Sequence, residues 1–205
     1  MKRFLDRPLS YSQLSSWEWS KEQWYNSYIK GERSAPNSIM LAGSRIGDAI
    51  GTESCPIGLN PPGVKEYGIT TVIEDIPMVG YFDHYCNKTR VLHENKCSDT
   101  KGRWTQGKVD KHTQIDMYLL LLRESEGVDP ESVSCQLNFV LLKPVGVDYT
   151  LHEPPLVKSF KTSRTNEQID AYLASVKGTV KEMQAYIEAV PLSTAAPCAP
   201  VFKGI

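Results

Sequence analysis

The chain has 205 residues, 40% of them apolar, a formal net charge of −1 and no run of eighteen apolar residues. That suits one domain of ordinary size with a real core, leaves little room for a second, and gives no signal for a membrane-spanning helix. Five scattered cysteines (Cys55, Cys86, Cys97, Cys135, Cys198) without a CxxC pair argue against a disulfide framework and a tetrathiolate metal site. The opening MKRFLDRPLS lacks the apolar centre of a secretory signal, so the expectation is a cytoplasmic protein with reduced thiols and no membrane partner.

In chain order, Ser10 and Gln13 stand in capping-box spacing, and Leu14, Trp17, Trp24, Tyr25 and Tyr28 recur at helical intervals up to Gly31, which predicts an amphipathic helix. Its aromatic stripe reads first as core and second as a base-stacking platform. SIMLAGSRIGDAIG predicts another helix. Gly43 and Gly47 weaken it by about 1 kcal/mol each relative to alanine, which points to close approach of something. SCPIGLNPPGVKEYG reads as a surface loop. From Ile69 the period shortens: ITTVIED, MVGYFDHYC and RVLHENKCS predict an antiparallel meander with turns at Ile76-Pro77 and Asn87-Lys88. TQGKVDKHTQIDMYLLLLRES returns to helical spacing, with Ile115, Tyr118, Leu119 and Leu122 as its apolar stripe. SVSCQLNFVLLK predicts a central strand, LVKSFKTSRT a further strand, and residues 166–190 a long closing helix. The fold class is therefore α/β, a mixed central sheet flanked by helices, as one domain over residues 1–190 with a C-terminal tail over 191–205.

The chemistry concentrates between residues 79 and 118. From Lys88 to His112 there are seven basic residues (Lys88, Arg90, Lys96, Lys101, Arg103, Lys108, Lys111) against three acidic ones (Glu94, Asp99, Asp110), a local excess able to track phosphates while the whole chain stays near neutral. Charge alone describes a solvated loop equally well. In a strand, residues two apart share a face, so Glu94 and Lys96 point together while Asn95 points away. Asp83 lies on the preceding strand, and a slanted pairing brings all three charges onto one face. Two carboxylates so placed repel unless a cation sits between them, and a hard divalent ion, Mg2+ or Mn2+, satisfies both. An exposed polar stripe on the outer face of a sheet accounts for the same spacing. Gln114 and Tyr118, four apart on the next helix, share one face and supply groups for phosphate oxygens.

The order GYFD (Gly80 to Asp83), ENK (Glu94 to Lys96) and QIDMY (Gln114 to Tyr118) resembles the PD-(D/E)XK nuclease superfamily and, within it, the RecB-like exonuclease branch. LSYSQLSSWEWS is similar to that branch's opening helix, and GSRIG stands where the branch has a glycine-led helix, so the resemblance runs over roughly residues 9 to 142. It implies a restriction-endonuclease-like core and metal-dependent hydrolysis of DNA phosphodiester bonds, in recombination, repair or phage DNA metabolism. Asp83, Glu94 and the Asn95 carbonyl would hold the metal, Lys96 would position the attacking water, Gln114 would contact the nucleophile side or the scissile phosphate, and Tyr118 would support the phosphate backbone. DNA contacts are expected from Lys101, Arg103, Lys108 and Lys111, with Trp104 either stacking on a terminal base or anchoring its loop. Lys161 and Arg164 offer a phosphate seat at a helix start, which capping by Thr165 or Asn166 explains equally.

Two departures stand out. Where the branch carries a further metal-binding histidine, this chain has Gly47, with Asp48 or Glu53 as the nearest carboxylate substitutes. Where iron–sulfur members carry cysteines, it has Ser20 and Lys21 after the first helix and a lone Cys198 near the end, so no iron–sulfur cluster is expected. Partners beyond DNA are expected to be a recombination protein or further copies of the chain. The alternative is a DNA-end-binding or protein-interaction module that has lost its chemistry.

Overall fold

The computed structural model of the protein describes residues 4–190; the predicted tail over 191–205, with Cys198, lies outside them. Six strands form a mixed sheet: β1 (Leu9–Ser10), β2 (Val64–Ile73), β3 (Ile76–Cys86), β4 (Val91–Ser98), β5 (Ser134–Val145) and β6 (Asp148–Thr162). The order is β1-β3-β4-β5-β6, with β2 on the other edge of β3. β4 and β5 run parallel, whereas β2, β4 and β6 pair antiparallel with β3, β3 and β5. This is the mixed central sheet expected from the pattern.

The strand read as central is central. Cys135, Leu137, Phe139 and Leu141 of β5 join the large core under one face, and Val140 and Leu142 a smaller core under the other. A strand buried on both faces reads as a nearly continuous apolar run, with each buried Leu or Val contributing about 1.5–3 kcal/mol. Helix α3 (Ser38–Ala49) covers the smaller core and packs on β4 and β6, while α5 (Thr113–Glu126) and α6 (Asn166–Ala189) cover the larger. The predicted stripe of α5 is buried, as are Met117, Leu120 and Leu121, so this helix is apolar almost all round and lies within the core.

Gly80 permits that arrangement. A Cβ there would stand 2.6 Å from Cδ1 of Leu121 and 3.3 Å from the Tyr118 ring. Gly80→Ala is expected to lower stability by about 1–3 kcal/mol through overpacking, and chemical denaturation checks it; unchanged stability would mean that α5 can move aside.

Several boundaries differ from the sequence reading, each for a local reason. The first helix is broken: α1 (Tyr11–Trp19) stops at an extended Ser20 (φ −161°), whose hydroxyl accepts the Gln23 N–H at 3.2 Å and starts α2 (Lys21–Trp24). A π-turn over Tyr25–Lys30 follows and ends at Gly31 (φ 82°). No capping box forms at Ser10; instead the Gln13 amide donates to the Pro8 carbonyl at 2.9 Å. Trp17 and Trp24 are buried in the core. The β2–β3 turn is Glu74-Asp75, both left-handed (φ 44° and 66°) as a two-residue hairpin requires, and Ile76-Pro77 opens β3. β2 already begins at Val64, inside the segment read as loop. β6 likewise starts at Asp148, because an edge strand tolerates the Pro154-Pro155 pair that had marked a break. The helix read from Thr105 onward is two, a short α4 (Gln106–Val109) and then α5, so Lys108 and Lys111 precede α5 rather than lie on it.

Candidate active site

The sheet opens where the charges gather. On one edge β3 meets β1 at Met78 and Val79 and β4 only from His84 to Cys86, so the edge of Gly80–Asp83 faces a gap between those neighbours. On the other edge the β2–β3 ladder skips one step between Lys65↔His84 and Tyr67↔Phe82, at Glu66, whose φ is 52°. A non-glycine residue held there marks local distortion. Phe82 and Tyr85 consequently belong to the core, while Asp83 and His84 both line a cleft of about 720 Å³ between α3 and the sheet.

Across the gap, Oδ2 of Asp83 accepts the Asn95 N–H at 2.6 Å. The carboxylate has taken the place of a missing strand partner. Backbone N–H and C=O of one strand residue point to the same edge, so the Asn95 carbonyl also faces the gap. The Asn95 side chain points the other way and is fixed by Asn138, whose amide donates to it at 3.0 Å.

Glu94 and Lys96 share the opposite face of β4, as their spacing predicts. Glu94 is buried, with Oε1 2.5 Å from Nζ of Lys96 and Oε2 outside hydrogen-bonding geometry, and the Tyr118 hydroxyl lies near enough to favour its ionised form. Lys96 also donates to Oε1 of Gln114 at 2.7 Å, the Gln114 amide donates to the Tyr118 hydroxyl at 2.5 Å, and Tyr118 donates to the Tyr81 carbonyl at 2.7 Å. All donors in this chain run one way, from Lys96 to the backbone of β3. Burial pushes the Glu94 carboxyl up to about 7, with Asp83 adding to the rise and Lys96 opposing it. Burial also raises Asp83, against the Asn95 N–H and Lys96. Lys96 is drawn down by burial, but Glu94 and Asp83 outweigh this and hold it above its ordinary value. The lysine is therefore a fixed cation that donates hydrogen bonds.

An unpartnered oxygen on a buried carboxylate is costly, and here the Asp83 carboxylate lies near enough to push the Glu94 carboxyl up further, with the Asn95 carbonyl at the gap between them. That donor set suits a hard divalent cation. Among the described residues no three His, Cys, Asp or Glu side chains gather closely enough to hold a metal ion, so such an ion would draw two carboxylates, one carbonyl and several waters. Asp48 lines the cleft; Glu53, exposed beyond α3, does not. Gly47 also lines it, and a Cβ there would meet nothing within 4 Å. At Gly43 a Cβ would make ordinary van der Waals contact with Cβ of Cys97 at 3.5 Å, so the close approach expected at these two glycines is seen at neither.

Compared with known proteins, the chain matches no family model and no curated sequence. Solved structures do match. One is a phage-related exonuclease from Haemophilus somnus 129PT, at 15% identity and a TM-score of 0.54 over 90% of this chain and 91% of that one. Another is a candidate exonuclease from Eubacterium rectale, at 12% identity and a TM-score of 0.57 over 97% of this chain and 90% of that one. The chain shares their fold.

The residues expected to meet DNA divide. Arg103 and Trp104 line the main cleft, and with Lys108 and Lys111 also a neighbouring pocket. Lys101 is exposed on the loop between β4 and α4. Lys161 lies elsewhere, in a groove with Glu131 and Ser163. Arg164 corrects the sequence reading. It is 3% exposed, its guanidinium pairs with Asp116, and it donates to the Thr162 hydroxyl at 2.7 Å and to the carbonyls of Ser163, Val109 and His112 at 2.9, 3.2 and 3.4 Å. It ties α4 and α5 to the end of β6 and has no face for a phosphate. At the adjoining helix start Thr165 and Gln168 form a capping box. Arg164→Met is expected to cost about 3–5 kcal/mol by leaving Asp116 uncompensated while DNA affinity measured on the folded variant stays unchanged; weakened binding without destabilisation would contradict this placement.

The sequence reading missed Tyr11, Lys65 and His84. Tyr11 lines a second cleft of about 560 Å³ that also contains Lys96, Gln114 and Tyr118. Lys65 lines the main cleft and donates to the Asp48 carbonyl at 2.5 Å. Only recognition of β2 from Val64 onward would have placed Lys65 opposite His84.

Proposed function

We propose that this protein is a divalent-metal-dependent deoxyribonuclease of the PD-(D/E)XK superfamily, in its RecB-like exonuclease branch, acting on DNA ends in recombination, repair or phage DNA metabolism. The observation that carries this reading is the forked sheet: the Asp83 carboxylate reaches across the gap to Asn95, and the neighbouring buried Glu94 carries a lysine cation on one oxygen while its other lies outside hydrogen-bonding geometry. The shared fold with two proteins described as exonucleases supports it.

Asp83, Glu94 and the Asn95 carbonyl would hold Mg2+ or Mn2+. When bound, such an ion makes a coordinated water more acidic and neutralises charge on phosphate oxygens. Lys96 donates from its fixed position to the attacking water or to a non-bridging oxygen, adding positive charge where negative charge develops. Gln114 and Tyr118 act through Lys96: they hold its ammonium in register with β3. The two clefts meet at Lys96, giving a strand a continuous path past the reacting phosphate. Arg103 and Trp104 form the wall on the α4 side.

Incubation with end-labelled linear DNA and closed circular DNA, in Mg2+, Mn2+ or EDTA, tests the reading. Metal-dependent loss of the linear DNA alone is expected. Loss of both would keep the chemistry and make it an endonuclease. If both survive yet still shift on a gel, the protein is a binding module that has lost hydrolysis.

A further inference from the structure

Beyond Trp104, away from the fork, lies a separate pocket of about 440 Å³. Its walls are Tyr11, Trp104 and His112, with Arg103, Lys108 and Lys111 around them and no acidic side chain in the lining. The nearest carboxylate in sequence, Asp110, is engaged by the Gln106 amide at 2.7 Å. Both aromatic rings meet the imidazole edge-on: Tyr11 at 5.7 Å and 86°, Trp104 at 4.7 Å and 65°. Nε2 of His112 is buried without a hydrogen-bond partner. Burial, then the charges of Lys96 and Arg164, hold this histidine down at about 4, so it is neutral near pH 7. Thr113, also in the lining, is the first residue of the 14-residue α5, whose free amides and dipole favour an anion.

A pocket walled by aromatic rings with cations on its rim fits one chemistry, a planar heterocycle carrying a phosphate. The volume falls in the range of small-ligand sites and suits one nucleotide, not a duplex. Trp104 separates this pocket from the main cleft, which it also lines. We infer that the pocket receives one unpaired nucleotide of the DNA strand that is not cut, its base against Trp104 and Tyr11 and its phosphate toward Lys111, Lys108 and the start of α5. The choice of strand rests on the nuclease reading, since the path past Lys96 is then taken by the strand being cut. Trp104 parts the two.

A hairpin-closed duplex with one open end tests this, carrying 5-iodo-2′-deoxyuridine at one terminus or the other. Irradiation of the complex in EDTA, with the crosslinked residue mapped by mass spectrometry, reports which terminus sits against which ring; a parallel reaction in Mg2+ identifies the cut strand. Crosslinks to His112, which lines neither of the other two clefts, are expected from the terminus of the uncut strand, with Trp104 or Tyr11 beside it. One unpaired nucleotide on that strand is expected to tighten binding about tenfold, an advantage lost in Lys111→Ala. Crosslinks to these rings only from the cut strand, or to none of them while DNA stays bound, would overturn the proposal. If the pocket crosslinks to one terminus and neither strand is cut, the nucleotide subsite stands and the nuclease reading fails.

Discussion

Lys96→Met is expected to lower the rate of the proposed DNA hydrolysis by about 10²- to 10⁴-fold, the range for a positioned donor at the reacting group. The same change destabilises the protein by about 3 kcal/mol, because Glu94 is left buried without its cation. The two effects separate in a double variant. With Glu94→Gln added, the carboxylate that pairs directly with the lysine is gone and only the weaker influence on Asp83 is lost, so denaturation is expected to return most of the lost stability while hydrolysis stays absent. If Lys96→Met keeps wild-type rates on folded protein, the lysine is only an ion-pair partner. If the double variant is as unstable as the single one, the cost lies in packing of the lysine stem.

Glu94→Gln alone is expected to remove the rise in melting temperature that the proposed Mn2+ binding would give the wild-type protein, and to raise the stability of the metal-free protein near neutral pH. The folded-state carboxyl titrates at about 7, above its ordinary value of 4.5. Between those pH values the folded protein holds a proton that the unfolded chain has released, so the contribution of this group is fully present below pH 4.5 and is lost as pH rises through 7. Glutamine resembles the protonated acid, and Lys96 then keeps the Gln114 oxygen and the Asp83 charge as partners. The stability of the variant relative to wild type is therefore expected to climb from pH 4.5 to about 7 and then level off, at about 3 kcal/mol. Urea denaturation of both proteins at four pH values measures it. A flat difference would mean that Lys96 keeps Glu94 ionised throughout, and a surviving Mn2+ shift in the variant would place the metal elsewhere.

The identity and order of the central residues were readable because their types are unusual for their places: a carboxylate within each of two apolar strands, and Gln114 and Tyr118 at helical spacing. What the sequence concealed is the fork. Alternation says which way a side chain points but not where two strands cease to pair, and the end of the β3–β4 ladder at His84↔His93 is set by the backbone around it. The left-handed Glu66 that turns Asp83 and His84 into the same cleft was equally hidden, since glutamate carries no turn signal. Arg164 was misread because a local window shows a cation before a helix and not the partners that claim it, Asp116 and two carbonyls contributed from some fifty residues earlier in the chain. Elements with long, consistent patterns, such as β5 and α6, emerged close to their observed spans. Those depending on one serine or proline, at Ser20 and Pro77, did not.

The central claim is that the fork between β3 and β4 holds a divalent cation. A crystal grown with Mn2+ and measured at the manganese absorption edge locates the ion directly. The account predicts an anomalous peak in contact with the Asp83 carboxylate, Oε2 of Glu94 and the Asn95 carbonyl, with Lys96 beside it. A peak on other residues, or an empty fork with Oε2 of Glu94 still unpartnered at saturating Mn2+, would contradict it.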